Sequence, residues 1–162
     1  MINHNANEAL EPKYVKESRS KLVDLVFPND TNQHQTIFGG KVMAYADKIA
    51  AIAAMRHCRK LVVTAKSDSF TFHAPIKAGE AICVEASVIC AHTSSMEVLV
   101  EIHSENLLTG EKKLTSKAYM TMIAIDEEGR PSHVPPVIPQ TEEEKYHYNV
   151  AMERYNARKK DS

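Results

Sequence analysis

The chain has 162 residues, enough for one domain with a real core. With 43% hydrophobic and 25% charged residues it is not a disordered chain, and a formal net charge of −1 gives no electrostatic case for nucleic acid or an anionic membrane. Cys58, Cys83 and Cys90 form an odd set without Cys-x-x-Cys spacing, so they support neither zinc nor a redox motif and read as small core residues in a reducing compartment.

Residues 1–17 are polar and are expected to be loose. They lack a basic region followed by an apolar run, so no signal peptide is read and the cytoplasm is the expected compartment. No stretch is long and apolar enough to be read as membrane-spanning. Residues 20–27 form a short β-branched strand stopped by Pro28. A polar loop from Asp30 then runs into Gly39 and Gly40, which open a strongly helical segment reaching Cys58. Between Val42 and Met55 only Asp47 and Lys48 are charged, which predicts a helix buried almost all round. Gly40, Ala44, Asp47, Ala51, Ala54 and Cys58 fall on one stripe, small except for its carboxylate. Such a stripe lets a helix, a strand or a ligand come close. Asp47 reads either as a polar residue at the helix edge, bonded to Lys48 or a loop amide, or as a general base. The glycines read either as a flexible helix start or as N–H donors to an incoming oxygen.

An extended run follows over residues 61–74, with Lys66 and Asp68 interrupting its apolar pattern where a bulge or edge is expected. In the strand over residues 81–92, Ile82, Val84, Ala86, Val88 and Cys90 share one face. Residues 96–104 alternate most cleanly, with Met96, Val98, Val100 and Ile102 inward. Thr109-Gly110 signals a hairpin, and the strand over residues 114–126 is apolar on both faces, which places it under cover on both sides. Residues 131–139 read as a proline-rich linker. A capping box at Thr141–Glu144 opens a surface helix whose stripe is Tyr148, Met152 and Tyr155. One long helix with antiparallel strands is an α+β fold, divided as a domain over 18–139 and a helix over 140–162 packed on it. A single sheet leaves part of such a helix uncovered, and a second copy of the chain is the simplest cover.

Asp30-Thr31-Asn32, Ile37-Phe38-Gly39-Gly40, Met43 and Asp47 together resemble the hotdog-fold acyl-CoA thioesterases, specifically the bacterial acyl-CoA hydrolases related to the brain-type cytosolic enzyme. Val62-Val63-Thr64, Phe72, Pro75-Ile76, Gly79, Thr93-Ser94-Ser95 and the strand from Thr121 to Asp126 extend the resemblance over residues 20–140. It implies a hotdog fold: the long helix wrapped by a curved antiparallel sheet of about five to six strands. It implies dimers, commonly three of them in a hexamer. It implies hydrolysis of acyl-CoA to CoA and a free acid, with no cofactor and no metal. The implied catalytic pair is Asn32 and Asp47, facing each other across the dimer interface, with Gly39 and Gly40 as carbonyl donors. Candidate contacts to CoA are Thr64, Lys66, Thr93, Ser94, Ser95 and Arg130. One position departs, since the family usually carries glycine where this chain has Gln35.

Attack by water assisted by Asp47 and direct attack by Asp47 to give an anhydride are both open. Neither a Gly-x-Ser-x-Gly elbow nor a Cys–His pairing is visible, which disfavours a serine or cysteine nucleophile. His34, in the loop, is the one histidine worth testing. A non-catalytic acyl-CoA binding or sensing module has no need of both Asn32 and Asp47. A hydratase or dehydratase would want a helix histidine, and this helix has none before His57.

Overall fold

The structure, a computed structural model, describes residues 10–160. Residues 1–9, most of the segment expected to be loose, lie outside the described residues. The elements are β1 (Lys13–Tyr14), β2 (Ser20–Leu25), α1 (Gly39–Cys58), β3 (Leu61–Phe72), β4 (Ala81–Ala91), β5 (Ser95–Glu105), β6 (Lys112–Ile125), β7 (Val137–Ile138) and α2 (Glu142–Lys160).

Two-residue alternation builds the main sheet. In β5, Met96, Val98, Val100 and Ile102 are fully buried toward α1, and Ile82, Val84, Ala86 and Val88 do the same in β4. The five strands run in the order β2-β4-β5-β6-β3, all antiparallel, so β2 and β3 are the edges. β3 and β4 are consecutive in the chain but are not a hairpin. β3 pairs with β6 instead, and residues 73–80 carry the chain to the far side of the sheet. Bulges interrupt β3 between Thr64 and Lys66 and between Asp68 and Thr71, where charge breaks its pattern. A further bulge between Val88 and Cys90 turns Cys90 away from the inner row, correcting the face expected for it.

α1 packs against every strand of this sheet. Its buried face is Val42, Ala46, Ile49, Ala50, Ala53, Ala54 and His57. The helix is not buried all round: Gly40, Met43, Ala44, Asp47 and Lys48 lie on an exposed flank. The first half of the small-residue stripe therefore faces away from the sheet.

Two segments expected to be loose are docked. β1 pairs in parallel with β7, and Val15 beyond it is buried. Residues 131–139 form a strap rather than a linker: Val134 and Val137 join the core, and the Val134 N–H bonds the Thr93 carbonyl at 2.9 Å. α2 opens with the Glu144 N–H on Thr141 Oγ1 at 3.1 Å, while Glu144 reaches back to the Gln140 N–H at 3.1 Å. It lies on the outer sheet face, where Ala151, Tyr148 and Met152 meet Ile89, Cys90 and Leu99.

His57 fastens the strap to α1, its Nε2–H donating to the Pro135 carbonyl at 2.7 Å. Its Nδ1 is buried with no partner, so the neutral ring fits and the charged ring would bury an unsatisfied N–H. Burial, the largest influence, holds its pKa below the ordinary 6.5; Lys13 adds to this, while the Pro135 carbonyl and Glu17 oppose it. An unfolded chain takes up this proton near 6.5 while the folded one resists it, so stability falls as pH drops below that value. The melting temperature is expected to decline between about pH 7 and pH 5. His57→Gln, which cannot titrate, should show a shallower decline in the same scans; equal slopes in the two proteins would remove His57 from this account.

Candidate functional site

Asn32 sits in a loop pinned at both ends. Thr31 pairs with Ile37, the Phe38 N–H bonds the Asp30 carbonyl at 3.2 Å, and the Ile37 N–H bonds the Ile76 carbonyl at 2.8 Å. The Asp30 carboxylate takes the Phe27 N–H at 3.0 Å and pairs with Lys41 of α1 at 3.3 Å. The Phe27 N–H, chiefly, and then Lys41 hold its pKa below the usual carboxylate value. The loop is thereby fixed to the first turn of the helix.

Within the loop, three donors converge on Asn32 Oδ1: the His34 N–H at 2.9 Å, the Thr36 N–H at 3.3 Å and Thr36 Oγ1 at 3.2 Å. That convergence identifies the oxygen and leaves the NH₂ group to donate elsewhere. His34 contributes its backbone to this arrangement and its side chain is exposed.

Beside the loop, α1 starts without a capping side chain, because Phe38 occupies the cap position. The Gly39 and Gly40 N–H groups lead the helix and have no carbonyl of their own helix to bond. Both glycines are exposed. They stand at the positive end of the helix dipole.

Asp47 lies about 12 Å further along the helix axis from Gly39. Its Oδ1 accepts a hydrogen bond from Thr64 Oγ1 of β3 at 2.5 Å. This replaces the Lys48 or loop-amide partner that the sequence offered. The carboxylate is on the exposed flank, so within one chain its surroundings are open rather than buried. Met43 and Phe38 of α1 and its cap are also exposed, and the adjacent strand β3, which carries exposed Leu61, Val63 and Phe72, presents an unpaired edge. One chain thus brings Asp47 to Thr64, while the Asn32 side chain is held through its oxygen within its own loop.

The other candidates disperse. Lys66 pairs with Asp68 at 3.3 Å and Arg130 with Asp126 and Glu128. The turn Thr93–Ser95 lies by the strap, where the Ser94 carbonyl takes the Ala124 N–H at 3.0 Å, toward the end of β3 opposite the Asn32 loop. The sequence reading placed Thr64 against CoA and missed its bond to Asp47, since no spacing rule links a helix residue to a strand residue. It also missed a cluster of Cys90, His92 and Glu97, whose ligand-type atoms lie within 4.8 Å of one another. Arg158 at 3.3 Å and Arg154 at 3.9 Å already meet the Glu97 carboxylate. Burial, with Glu97 nearby, pushes the Cys90 thiol up to about 12. A protonated thiol beside two guanidinium groups suits a tie between sheet and α2 better than a cation.

Comparison with known proteins gives a consistent result. A model of the thioesterase superfamily matches residues 34–111. The uncharacterized acyl-CoA thioester hydrolase YkhA of Bacillus subtilis is 47% identical over 152 residues, covering 94% of this chain and 88% of its own. The cytosolic acyl coenzyme A thioester hydrolase of Mus musculus is 33% identical over 147 residues, 90% of this chain but 39% of its own. An apo-hexameric acyl-CoA thioesterase superposes with a TM-score of 0.90 at 49% identity, covering 94% of this chain and 97% of its own. The acyl-CoA hydrolase of Staphylococcus aureus, in complex with butyryl coenzyme A, coenzyme A and its disulfide, superposes at 0.85 with 44% identity, covering 92% and 91%. Solved variants of that enzyme replace one Asp, one Asn or one Thr by Ala, at the same intervals as Asp47, Asn32 and Thr64.

Gln35 holds the left-handed conformation, with φ of 60°, and its carbonyl accepts the Ala78 N–H at 3.1 Å. The loop thus keeps a glycine-type backbone without the glycine. Gln35→Gly removes a steric cost of roughly 1–2 kcal/mol and returns part of it as unfolded-chain entropy. A net gain of about 0.5–1 kcal/mol is expected, read as a higher urea midpoint at unchanged m-value. A lower midpoint would mean that the glutamine side chain holds the loop.

Proposed function

The chain belongs to the hotdog acyl-CoA thioester hydrolases of the thioesterase superfamily, and from that footing we propose how its residues carry out the hydrolysis. The acyl carbonyl oxygen lies in the corner made by the Asn32 NH₂ and the Gly39 and Gly40 N–H groups. These donors are in place before charge develops on the oxygen, which is where such donors act most strongly. Asp47 of a second copy takes a proton from water as that water attacks the carbonyl carbon. The tetrahedral intermediate then expels the CoA sulfur, which leaves as thiol once protonated, and the acid is released. Thr64 holds one carboxylate oxygen of Asp47 and leaves the other for the water.

That hydrogen bond is the observation that carries the reading. It orients a carboxylate on an exposed helix flank, where a lone surface acid has no need of orientation. The matching intervals of the altered Asn, Asp and Thr in the Staphylococcus aureus enzyme support it. A binding or sensing module needs no such arrangement, and free thiol appearing from acyl-CoA separates the two.

The active unit in this reading is a dimer joined along β3 and the exposed flank of α1. Three such dimers forming a hexamer is supported by the hexameric relative. For the CoA phosphates the reading keeps the hydroxyls of Thr93, Ser94 and Ser95 with Lys66 and Arg130. The carboxylate partners of those two cations are held in partly exposed pairs, typically worth at most about 1 kcal/mol, which a phosphate can displace. A cytoplasmic location is supported by the cytosolic mouse relative.

Asp47→Asn keeps shape and removes the base, so kcat should fall on the order of 10²-fold or more with KM little changed. Near-normal kcat in a thiol-release assay would return Asp47 to a structural role. The shared site has its own test. In a hybrid dimer of Asn32→Ala and Asp47→Ala chains, one composite site receives both damaged residues and the other receives neither. Purified hybrid should recover roughly half of wild-type activity per dimer. A hybrid as inactive as its parents would place the pair within one chain.

A further inference from the structure

A regular strand puts residues four apart on one face. Thr64 and Asp68 are four apart in β3, yet they stand on opposite faces. The first bulge is the cause. Thr64 lies opposite Met122 and Lys66 opposite Thr121, so two steps along β3 match one along β6, and Ala65 is the extra residue. Met122 belongs to the core that packs on α1, and Thr64 shares its face, where the threonine hydroxyl meets Asp47. Asp68 lies opposite Tyr119, which packs with Ala151 and Met152 of α2 on the outer face. One extra residue thus lets β3 reach a different helix from each side.

Asp68 uses its outer position. Its Oδ2 pairs with Arg158 Nη1 of α2 at 3.3 Å, and Arg158 Nη2 meets Glu97 Oε1 at 3.3 Å. Glu97 is 2% exposed in β5, the middle strand of the sheet. Arg158 therefore ties the sheet edge to a carboxylate fixed at the sheet centre. The edge has need of such a tie. β3 pairs on one side only, with β6, and a second bulge follows between Asp68 and Thr71, with Ser69 in the left-handed conformation at φ 54°. Between the bulges the ladder holds the strand weakly, and Thr64 sits at one end of that stretch, about 13 Å along the strand from Asp68.

We propose that Arg158 and Asp68 are positioning residues for the hydrolysis. They hold β3 across its bulge, and so hold Thr64 where it orients the Asp47 carboxylate. Neither acts on the substrate. The inference rests on the roles given to Thr64 and Asp47 above.

A double-mutant cycle through Thr64 tests it. Thiol release is followed with the intact oligomer, on whichever straight-chain acyl-CoA from acetyl to hexadecanoyl the wild type turns over fastest. Thr64→Ala gives the full loss of the orienting contact. Arg158→Ala should lower kcat about tenfold, as a displacement of less than 1 Å can, with KM changed less than about twofold. It leaves Asp68 with Lys66 and Glu97 with Arg154, so neither carboxylate loses every partner. Asp68→Ala cuts the same tie from the strand side while Glu97 keeps both arginines, and its kcat should match. In a Thr64→Ala background either change should lower kcat no further, because the contact it serves is already gone. A merely structural tie behaves differently: the melting temperature falls while kcat per folded enzyme stays at the wild-type value, or kcat falls by the same factor with and without Thr64. Either pattern would overturn the proposal and leave the hydrolase standing. If Arg158→Ala fails to fold, Asp68→Ala in the two backgrounds decides alone. Wild-type kcat in Thr64→Ala would remove the role of Thr64 and this inference with it. No thiol from any acyl-CoA would instead sink the hydrolase reading itself.

Discussion

Alanine is what allows α1 to lie as it does. Ala46, Ala50, Ala53 and Ala54 are fully buried against the sheet, so the helix approaches closely without large side chains to hold it off. Val42 and Ile49 are the bulkier apolar side chains buried on the same face. Close-packed interiors do not absorb added volume easily, so this face fixes the rotation of the helix about its own axis. Once that rotation is set, Asp47 must point away from the core toward the flank shared with β3, and the glycine pair must open beside the Asn32 loop. The chemistry is placed by the packing.

That placement has a cost. The flank leaves Met43 exposed beside the unpaired edge strand β3, which itself exposes Leu61 and Val63. In water such a surface favours association, and an edge strand invites another strand. Asp47 and Thr64 meet where this flank adjoins the edge strand. In the proposed dimer, the surface covered on association therefore also carries the proposed catalytic carboxylate.

The opposite side of the sheet is settled by charge. Glu97 is 2% exposed in β5 and meets Arg154, Arg158 and His92, while Arg158 also reaches Asp68 beside the β3 bulge at 3.3 Å. The His92 ring stacks on Tyr155 with centroids 3.7 Å apart, and Arg154 lies over the Tyr119 ring. A buried carboxylate is tolerable only with such partners, and removing one of them would leave an uncompensated charge. The network locks α2 across β3, β4, β5 and β6, including the edge strand that carries Thr64.

Local chemistry was enough to read much of this chain. Period-two alternation in β4 and β5, the glycine pair with its long apolar helix, the β3 bulge and the capping box at Thr141 are properties of neighbouring residues, and they survive in any context. The Asp30–Asn32 run, the glycines and Asp47 were legible as a resemblance for the same reason: their register lies within one continuous segment. What depended on residues distant in sequence was not legible. The bond from Thr64 to Asp47 needs a strand to pass beside a helix flank. The strap over His57, the parallel pairing of Lys13–Tyr14 with Val137–Ile138, and the turn of Cys90 toward α2 need the whole sheet to be in place. Composition marked Asp47 as one charge on an apolar helix, but only the rotation of that helix against the sheet decided that the charge faces outward. Periodicity names the faces of a helix; packing volume decides which of them is covered.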